Sequence, residues 1–297
     1  MKKIKETNIL VQRSNTEKVV FGIVCAFFCF YAFTLIFPFL WMIVLSFEEP
    51  KSLSTMMMLK GAFYIPEVFY FSNYLKAFTA MVDNGVNFIG MIFNSLWFVG
   101  IAMVMSVFWH AITAYVFAKF RFKGRDFIYG CAIFSMTVPI VGTGGATYRL
   151  IDMLGLYDTG PLYLIATCCG GFGGTFIMMY GIFKNIDWAY AEAVYIDGGG
   201  NNTVFFKIMF PQALPALTAM AVNSAIGLWN NYGTPLMYMP STPTVASGLY
   251  KISLYMTDNG RPLYYAGLTI SIIPVMILYG FMSGSMMKNL SIGGLKG

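Results

Sequence analysis

A chain of 297 residues that is 58% hydrophobic and only 11% charged, with mean hydropathy +0.66, lacks the composition of a soluble domain, in which about a quarter of residues carry charge. Its apolar surface must face something other than water, and lipid is the solvent that fits. The net charge of +6 does not point to nucleic acid, because the basic residues are scattered between apolar blocks rather than gathered into a patch.

Six windows contain no Asp, Glu, Lys or Arg: 19–47, 84–118, 127–148, 159–183, 208–250 and 262–287. A helix needs about 20 apolar residues to cross a bilayer. The windows therefore predict an all-α integral membrane fold with six transmembrane helices, spanning about 19–46, 88–117, 127–147, 160–183, 211–234 and 263–287. Tails 1–18 and 288–297 flank this transmembrane domain. The first apolar block exceeds a signal-peptide core and no small-residue cleavage site closes it, so it is expected to remain as a span. The loop 48–83 has room for a surface helix around Tyr74–Met81, and RLIDMLGLY at 149–157 predicts another at the membrane interface. The glycine pairs in GTGG (142–145) and GGFGG (170–174) follow no strand, so they are expected to permit close helix packing rather than to cradle phosphate. Pro139 and Pro274 are expected to kink their helices. The fifth window is longer than one span, and its helix is expected to end near WNNYGTP, 229–235.

Orientation follows from Lys and Arg. Segments 1–18, 119–126, 184–207 and 288–297 hold 13 of the 19 basic residues, with KFRFKGRD the densest turn. The positive-inside rule then places both termini in the cytoplasm, together with the segment joining the fourth and fifth spans.

Absent residues exclude several functions. None of the predicted spans carries an acidic or basic residue, whereas ion-coupled carriers place ionisable groups inside the membrane. His110 is the sole histidine and reads as a hydrogen-bonded helix residue. No HExxH, GxSxG or GxxxxGK[ST] motif occurs, so zinc proteolysis, serine hydrolysis and ATP hydrolysis lack their usual signatures. The five cysteines, Cys25, Cys29, Cys131, Cys168 and Cys169, lie in apolar runs and read as small buried packing residues. No catalytic residue, metal site or bound cofactor is expected.

One polar segment breaks the pattern: AEAVYIDGGGNNTVFFKIMFPQALP, residues 191–215. Asn185 or Asp187 can cap a short helix beginning at Trp188. Ala189, Ala193 and Ile196 form a narrow apolar stripe on it, and Asp197-Gly198-Gly199-Gly200 ends it. A second helix can start at Asn202 or Thr203, with Phe205, Ile208 and Met209 toward the membrane domain, and Pro211 and Pro215 leading into the fifth span. Pattern alone leaves two readings open, an interfacial loop with no partner or a docking loop.

The spacing resembles the EAA motif of ABC importer permeases: Glu192, Ala193, Gly198, Ile208 and Pro211 occupy matching positions, and Asp197, Phe205 and Lys207 fit the sugar-uptake version. Val194 stands where Ala is usual, Phe210 where Leu is usual, and Asp187 where many relatives carry Pro. FPFLWMIVLSF, AYVFAKFRFKGRD, LGLYDT (154–159) and LWNNY (228–232) are similar to the carbohydrate-uptake group. The ending GGLKG is similar to the tail of the smaller permease subunit of maltose importers.

This resemblance implies a type I ABC importer permease, a transport subunit rather than an enzyme, in a bacterial cytoplasmic (inner or plasma) membrane. It would form half of the pathway for a carbohydrate, specifically an oligosaccharide. Implied partners are a second permease in a heterodimer, two copies of a cytoplasmic ATPase, an extracellular or periplasmic solute-binding protein, and membrane lipid, with no nucleic acid. ATP and Mg would sit on the ATPase. The coupling helix would dock there through Glu192 against an arginine, with Ala193 and Gly198 permitting close contact and Asp197 stabilising the turn, and Val194, Lys207, Ile208 and Pro211 complete the ATPase-coupling set. Gly293, Gly294, Leu295, Lys296 and Gly297 would add tail contacts. Pathway candidates are Asn223, Trp229, Asn230, Asn231 and Tyr232, although an interfacial aromatic belt explains Trp229 and Tyr232 as well. Asn94 and His110 are weaker candidates. The outer loop 239–262 either probes the solute-binding protein or is a solvated connector. The competing readings are a stand-alone facilitator or secondary carrier, which would show inverted repeats, and an intramembrane hydrolase using His110 with a nearby nucleophile.

Overall fold

The structure, a computed structural model, describes residues 15–137, 142, 144–169, 171–257 and 260–292. The tail 293–297, Pro139 and Gly170, each assigned a role from sequence, lie outside the described residues. Among the described residues three helices are long and apolar enough to cross a membrane: α1 (Asn15–Ser46), α4 (Phe88–Lys119) and the continuous stretch Asn201–Trp229. At 1.5 Å per residue, the 32 residues of α1 or α4 extend about 48 Å, more than the ~30 Å of hydrocarbon. The most apolar window of α1 has none of its residues buried within the chain.

Between α1 and α4 lie α2 (Leu53–Lys60), α3 (Ser72–Ala80) and a hairpin of β1 (Val82–Asp83) and β2 (Val86–Asn87). The hairpin pairs Val82 with Asn87 and Asp83 with Val86. Asn84 and Gly85 turn it with φ of 48° and 79°, the pair of positive angles that a two-residue Asn-Gly turn supplies. Asn87 then caps α4, accepting the Gly90 N–H at 2.9 Å.

The third and fourth predicted spans are not continuous helices. α5 (Arg125–Thr137) ends two residues before Pro139, where the chain ahead of a proline disfavours helix. α6 (Gly144–Met153) begins earlier than the surface helix expected at 149–157 and ends earlier too. Gly155, at φ 66°, closes it: its N–H reaches Asp152 O and the Leu156 N–H reaches Ile151 O. The expected span 160–183 divides into α7 (Pro161–Thr167) and α8 (Gly174–Asn185). The described glycines of these two groups therefore make no close helix packing within this chain. A Cβ at Gly142, Gly144, Gly145, Gly171 or Gly173 would meet nothing within 4 Å, and Gly174 has only Met136 Cε at 3.9 Å. Clustered glycines weaken the helix by about 1 kcal/mol each relative to alanine. The cysteines are corrected likewise. Cys25, Cys29, Cys131 and Cys169 are exposed within this chain, and Cys168 alone packs, half-buried, against a core.

After α8 come α9 (Ala189–Ile196), α10 (Asn201–Thr203), a π-helical turn Val204–Met209, α11 (Phe210–Trp229), α12 (Gly233–Tyr238), α13 (Val245–Tyr255) and α14 (Arg261–Ile292), with Pro274 inside α14.

Two cores result. The first gathers Phe88, Met91, Phe98 and Ala102 of α4 with Ala77, Tyr163, Ala225, Trp229, Val245, Leu249 and Ala266. The second gathers Ala111, Ala114, Tyr115 and Phe117 of α4 with Phe176, Met179, Phe183, Ala191, Val204, Phe205, Met209, Ala213 and Leu217. Helices α4 and α11 run through both, and no residue of α4 from 103 to 110 is buried.

Candidate functional site

The polar loop is a short helix held hard against the second core. Asp187 accepts the Ala189 N–H at 3.0 Å, satisfying a free donor at the start of α9. At the other end Gly198 adopts φ 79°. The Gly198 N–H reaches Tyr195 O at 3.0 Å and the Gly199 N–H reaches Val194 O at 2.8 Å, the paired bonds of a left-handed helix end. Gly199 is confined by space instead of angle: a Cβ there would lie 2.5 Å from Val194 Cγ1 and 3.0 Å from Val194 O. Tyr195 Oη then donates to Asn201 Oδ1 at 2.6 Å, joining α9 to α10.

The faces of α9 are decided by tertiary packing. Ala191 is fully buried, while Trp188 and Val194 pack against the same core. The stripe read from sequence, Ala189, Ala193 and Ile196, points the other way, with Ile196 86% exposed. Glu192, Ala193, Asp197 and Gly198 are exposed, and Val194 is half-buried. The outward surface is thus two carboxylates, Glu192 and Asp197, among small residues, with Ile196 and the half-exposed Tyr190 beside them.

Aromatic rings fix the inward side. Tyr115 of α4 lies 4.9 Å from Phe205 and 5.7 Å from Phe183, ring to ring. Trp188 meets Phe120 edge-on at 6.2 Å. Lys119 Nζ donates to the Ile186 carbonyl, tying the end of α4 to the end of α8. The π-helical turn buries Val204, Phe205 and Met209 together. Pro211, exposed in the first turn of α11, has no N–H for the Lys207 carbonyl, and the Phe210 N–H bonds Phe205 O, five residues back. Such turns recur at functional positions. Lys207 is exposed and Ile208 half-buried.

The pathway candidates do not converge. Trp229 is buried in the first core. Asn231 is occupied locally: its Nδ2 donates to Thr234 Oγ1 and its Oδ1 accepts the Thr234 N–H, both at 3.0 Å. Asn230 Nδ2 donates to Ile226 O at 2.9 Å. Asn223 and Tyr232 are exposed, and Tyr232 stacks on Tyr250 at 4.4 Å. Asn94 is a tether, donating to Pro243 O at 3.0 Å and accepting the Trp97 Nε1–H at 3.1 Å. His110 Nδ1 lies 2.6 Å from Ser106 O and 3.3 Å from Ser106 Oγ, one turn back on its own helix; a carbonyl only accepts, so the nitrogen bonded to it carries a proton and cannot act as base toward that hydroxyl. Among the described residues no three His, Cys, Asp or Glu side chains come together as metal ligands would.

Sequence reasoning did not identify the clamp on the outer loop. Asp158 accepts the Ser241 N–H at 3.0 Å and the Ser241 hydroxyl at 2.5 Å. Asn84 Nδ2 donates to Pro240 O at 2.7 Å, Lys251 pairs with Asp83 at 2.6 Å, and Ser95 Oγ accepts the Val245 N–H at 2.8 Å. All of these partners lie more than 80 residues apart in sequence, so no local signal could have revealed them.

Residues 110–290 match the family described as binding-protein-dependent transport system inner membrane component. The diacetylchitobiose uptake system permease of Streptomyces coelicolor is 28% identical over 249 residues, covering 82% of this chain and 78% of that protein. The arabinooligosaccharides transport system permease of Halalkalibacterium halodurans is 27% identical, covering 96% of this chain and 100% of that protein. Among solved structures, a chain of a bacterial ABC transporter involved in import of the acidic polysaccharide alginate superposes with a TM-score of 0.74 at 20% identity, covering 92% of this chain and 98% of that one. A chain of the alginate transporter in complex with its pentasaccharide-bound periplasmic protein gives a TM-score of 0.60 at 13% identity, covering 90% and 94%.

Proposed function

The chain belongs to the family of binding-protein-dependent transport system inner membrane components, and from that premise we propose that it is the permease half of an ATP-driven oligosaccharide importer. It is a transport subunit rather than an enzyme. In this reading it crosses the bacterial cytoplasmic membrane six times with both termini inside, pairs with a second permease, and sits on two copies of an ATPase that hold ATP and Mg. An extracellular or periplasmic solute-binding protein delivers the cargo. The absence of charge from the predicted spans suits a neutral solute, and the relatives named for arabinooligosaccharides and diacetylchitobiose support an oligosaccharide.

One observation carries the reading. On α9 the inward face is sealed into the second core by Ala191, Val204, Phe205 and Met209, while Glu192, Ala193 and Ile196 stand outside. A lever needs both properties, a free surface to be pushed and a rigid root to pass the push on. Glu192 is the docking charge, Ala193 and Gly198 allow close approach, and Asp197 and Gly198 hold the turn. Lys207, Ile208 and Pro211 belong to the root, and the tail 293–297 adds a second contact. ATP-driven closure of the ATPases would then bias the membrane domain between two states, the solute undergoing no chemistry.

The test is affinity purification from a host that carries the whole system, followed by uptake in proteoliposomes. Co-elution of an ATPase and a second permease is expected. Glu192→Ala removes a charge whose loss from a partly buried pair costs about 2–5 kcal/mol. Gly198→Pro fixes φ near −65° where +79° is required. Both variants are expected to insert normally and to lose ATP-dependent uptake. Normal uptake by a stably inserted Gly198→Pro protein would overturn the docking assignment.

A further inference from the structure

The segment between α1 and α3 carries apolar side chains that none of the described residues covers. Met58 is 87% exposed, Leu59 74%, Phe63 72% and Ile65 68%. Its inner side is packed: Leu53 and Tyr64 are buried with Leu45, supported by Trp41 and Tyr265. An uncovered run of this size marks a surface that meets a protein or a membrane.

Height along α1 decides between them. The Phe63 ring lies against Phe37 and Trp41, with centroids 5.8 and 5.4 Å apart. Trp41 comes five residues before Ser46, where α1 ends, so the contact sits about 8 Å below the helix end. The loop folds back along the span instead of standing off in water. Phe33, Ile36, Phe39 and Leu40 of α1 are also exposed, so the loop continues the uncovered apolar surface of the most apolar helix. Trp41, half-buried, stands at that level, where amphipathic rings gather at a membrane boundary. The two charges that flank the patch neutralise each other, Lys60 Nζ lying 2.5 Å from Glu67.

We propose that α2 and the segment to Ile65 form an in-plane anchor that seats Met58, Leu59, Phe63 and Ile65 in a lipid surface. The anchoring stands apart from the transport reading, and only the choice of the outer leaflet depends on the predicted topology. Its consequence is mechanical. Asn73 Nδ2 donates to Ser46 O at 2.9 Å and to Glu48 O at 2.8 Å, which ropes α3 to the end of α1. Ala77 and Met81 of that segment enter the first core. The first core is thereby moored to the bilayer surface.

A photoreactive diazirine amino acid placed singly at Met58, Leu59 or Ile65 tests this in the protein with its co-purifying subunits, in nanodiscs of phosphatidylethanolamine and phosphatidylglycerol. These side chains are exposed, so each variant is expected to fold. Mass spectrometry after illumination is expected to find lipid adducts at all three, at roughly tenfold the yield from the same probe at exposed Lys123 in the α4–α5 turn. Adducts to another protein chain would overturn the proposal by making this a protein-docking face. Water adducts alone, at the level of Lys123, would overturn it as well.

Discussion

The three consecutive glycines after α9 allow one chemical change to be compared at three positions with different expected outcomes. Adding a Cβ at Gly198 forces an L residue to φ 79°, a left-handed conformation that costs about 1–2 kcal/mol. That corresponds to a roughly 5- to 30-fold loss in the population of the closed turn. Gly198→Asn should lose less, because asparagine visits this region more readily. At Gly199 the angle is not the difficulty. The added atom would lie 3.0 Å from Val194 O, an oxygen held in place by the Gly199 N–H itself, and 2.5 Å from a side chain packed on the second core. Overpacking of this kind costs about 1–3 kcal/mol. At Gly200 a Cβ would meet nothing within 4 Å, and φ is −98°. Gly200→Ala should therefore be silent, or stabilising by about 0.4–1 kcal/mol through the unfolded chain. The assay is ATP-dependent uptake of a labelled oligosaccharide into proteoliposomes, with retained ATPase measured on the same preparations. Activity should fall in the order wild type and Gly200→Ala, then Gly198→Asn, then Gly198→Ala and Gly199→Ala. Equal damage at Gly200 and Gly198, or full activity of Gly198→Ala, would refute the claim that the shape of this turn sets the docking surface.

Phe205→Ala should loosen the root of the lever without touching its free face. The ring is buried against Tyr115 and Phe183, and a truncation of this type costs about 3–5 kcal/mol. ATP hydrolysis should persist while solute moved per ATP falls, and a parallel loss of both would count against the root assignment. Asp158→Ala should free the outer loop by removing two bonds from a charged acceptor, each worth about 1.5–3 kcal/mol. Limited proteolysis within 239–255 should accelerate, and an unchanged cleavage rate would show that the remaining tethers suffice. Asn94→Ala should act in the same assay and leave the order of preference among competing sugars unchanged, since Asn94 holds Pro243.

Where the sequence was legible, the physics was local. Asp187 at the start of α9 and Gly198 at its end act through bonds to residues two to three positions away. The pairing of Asn231 with Thr234, three residues on, is local in the same way. The faces of α9 were not legible. Ala191 and Ala193 are the same residue type two positions apart, and only packing into the second core makes one interior and the other surface. The interrupted fourth span was hidden because hydropathy averages over the glycines that part α7 from α8. The tethers of the outer loop were hidden because Asn94 and Pro243 are 149 positions apart.

The two cores explain why a push at α9 need not dissipate locally. The loop, the ends of α4 and α8, and the first turns of α11 share one packed interior, and close-packed interiors shift as units because they have few voids to absorb strain. The same two long helices, α4 and α11, emerge from that unit and enter the other core. Between Ala102 and Ala111 on α4 there are about 13 Å of helix with no buried side chain, and from 218 to 224 on α11 only Val222 is buried. Packing is thinnest there, so relative rotation of the two cores breaks the fewest contacts if it occurs at that level. The first core is tied on its far side by the Asp158, Asn84 and Asn94 tethers and by the rope from Asn73 to α1. A displacement of α9 therefore meets a stiff unit, then a compliant waist, then a restrained unit, and the restrained unit must either give up its outer tethers or hold still. That choice between two discrete arrangements is what a gate requires.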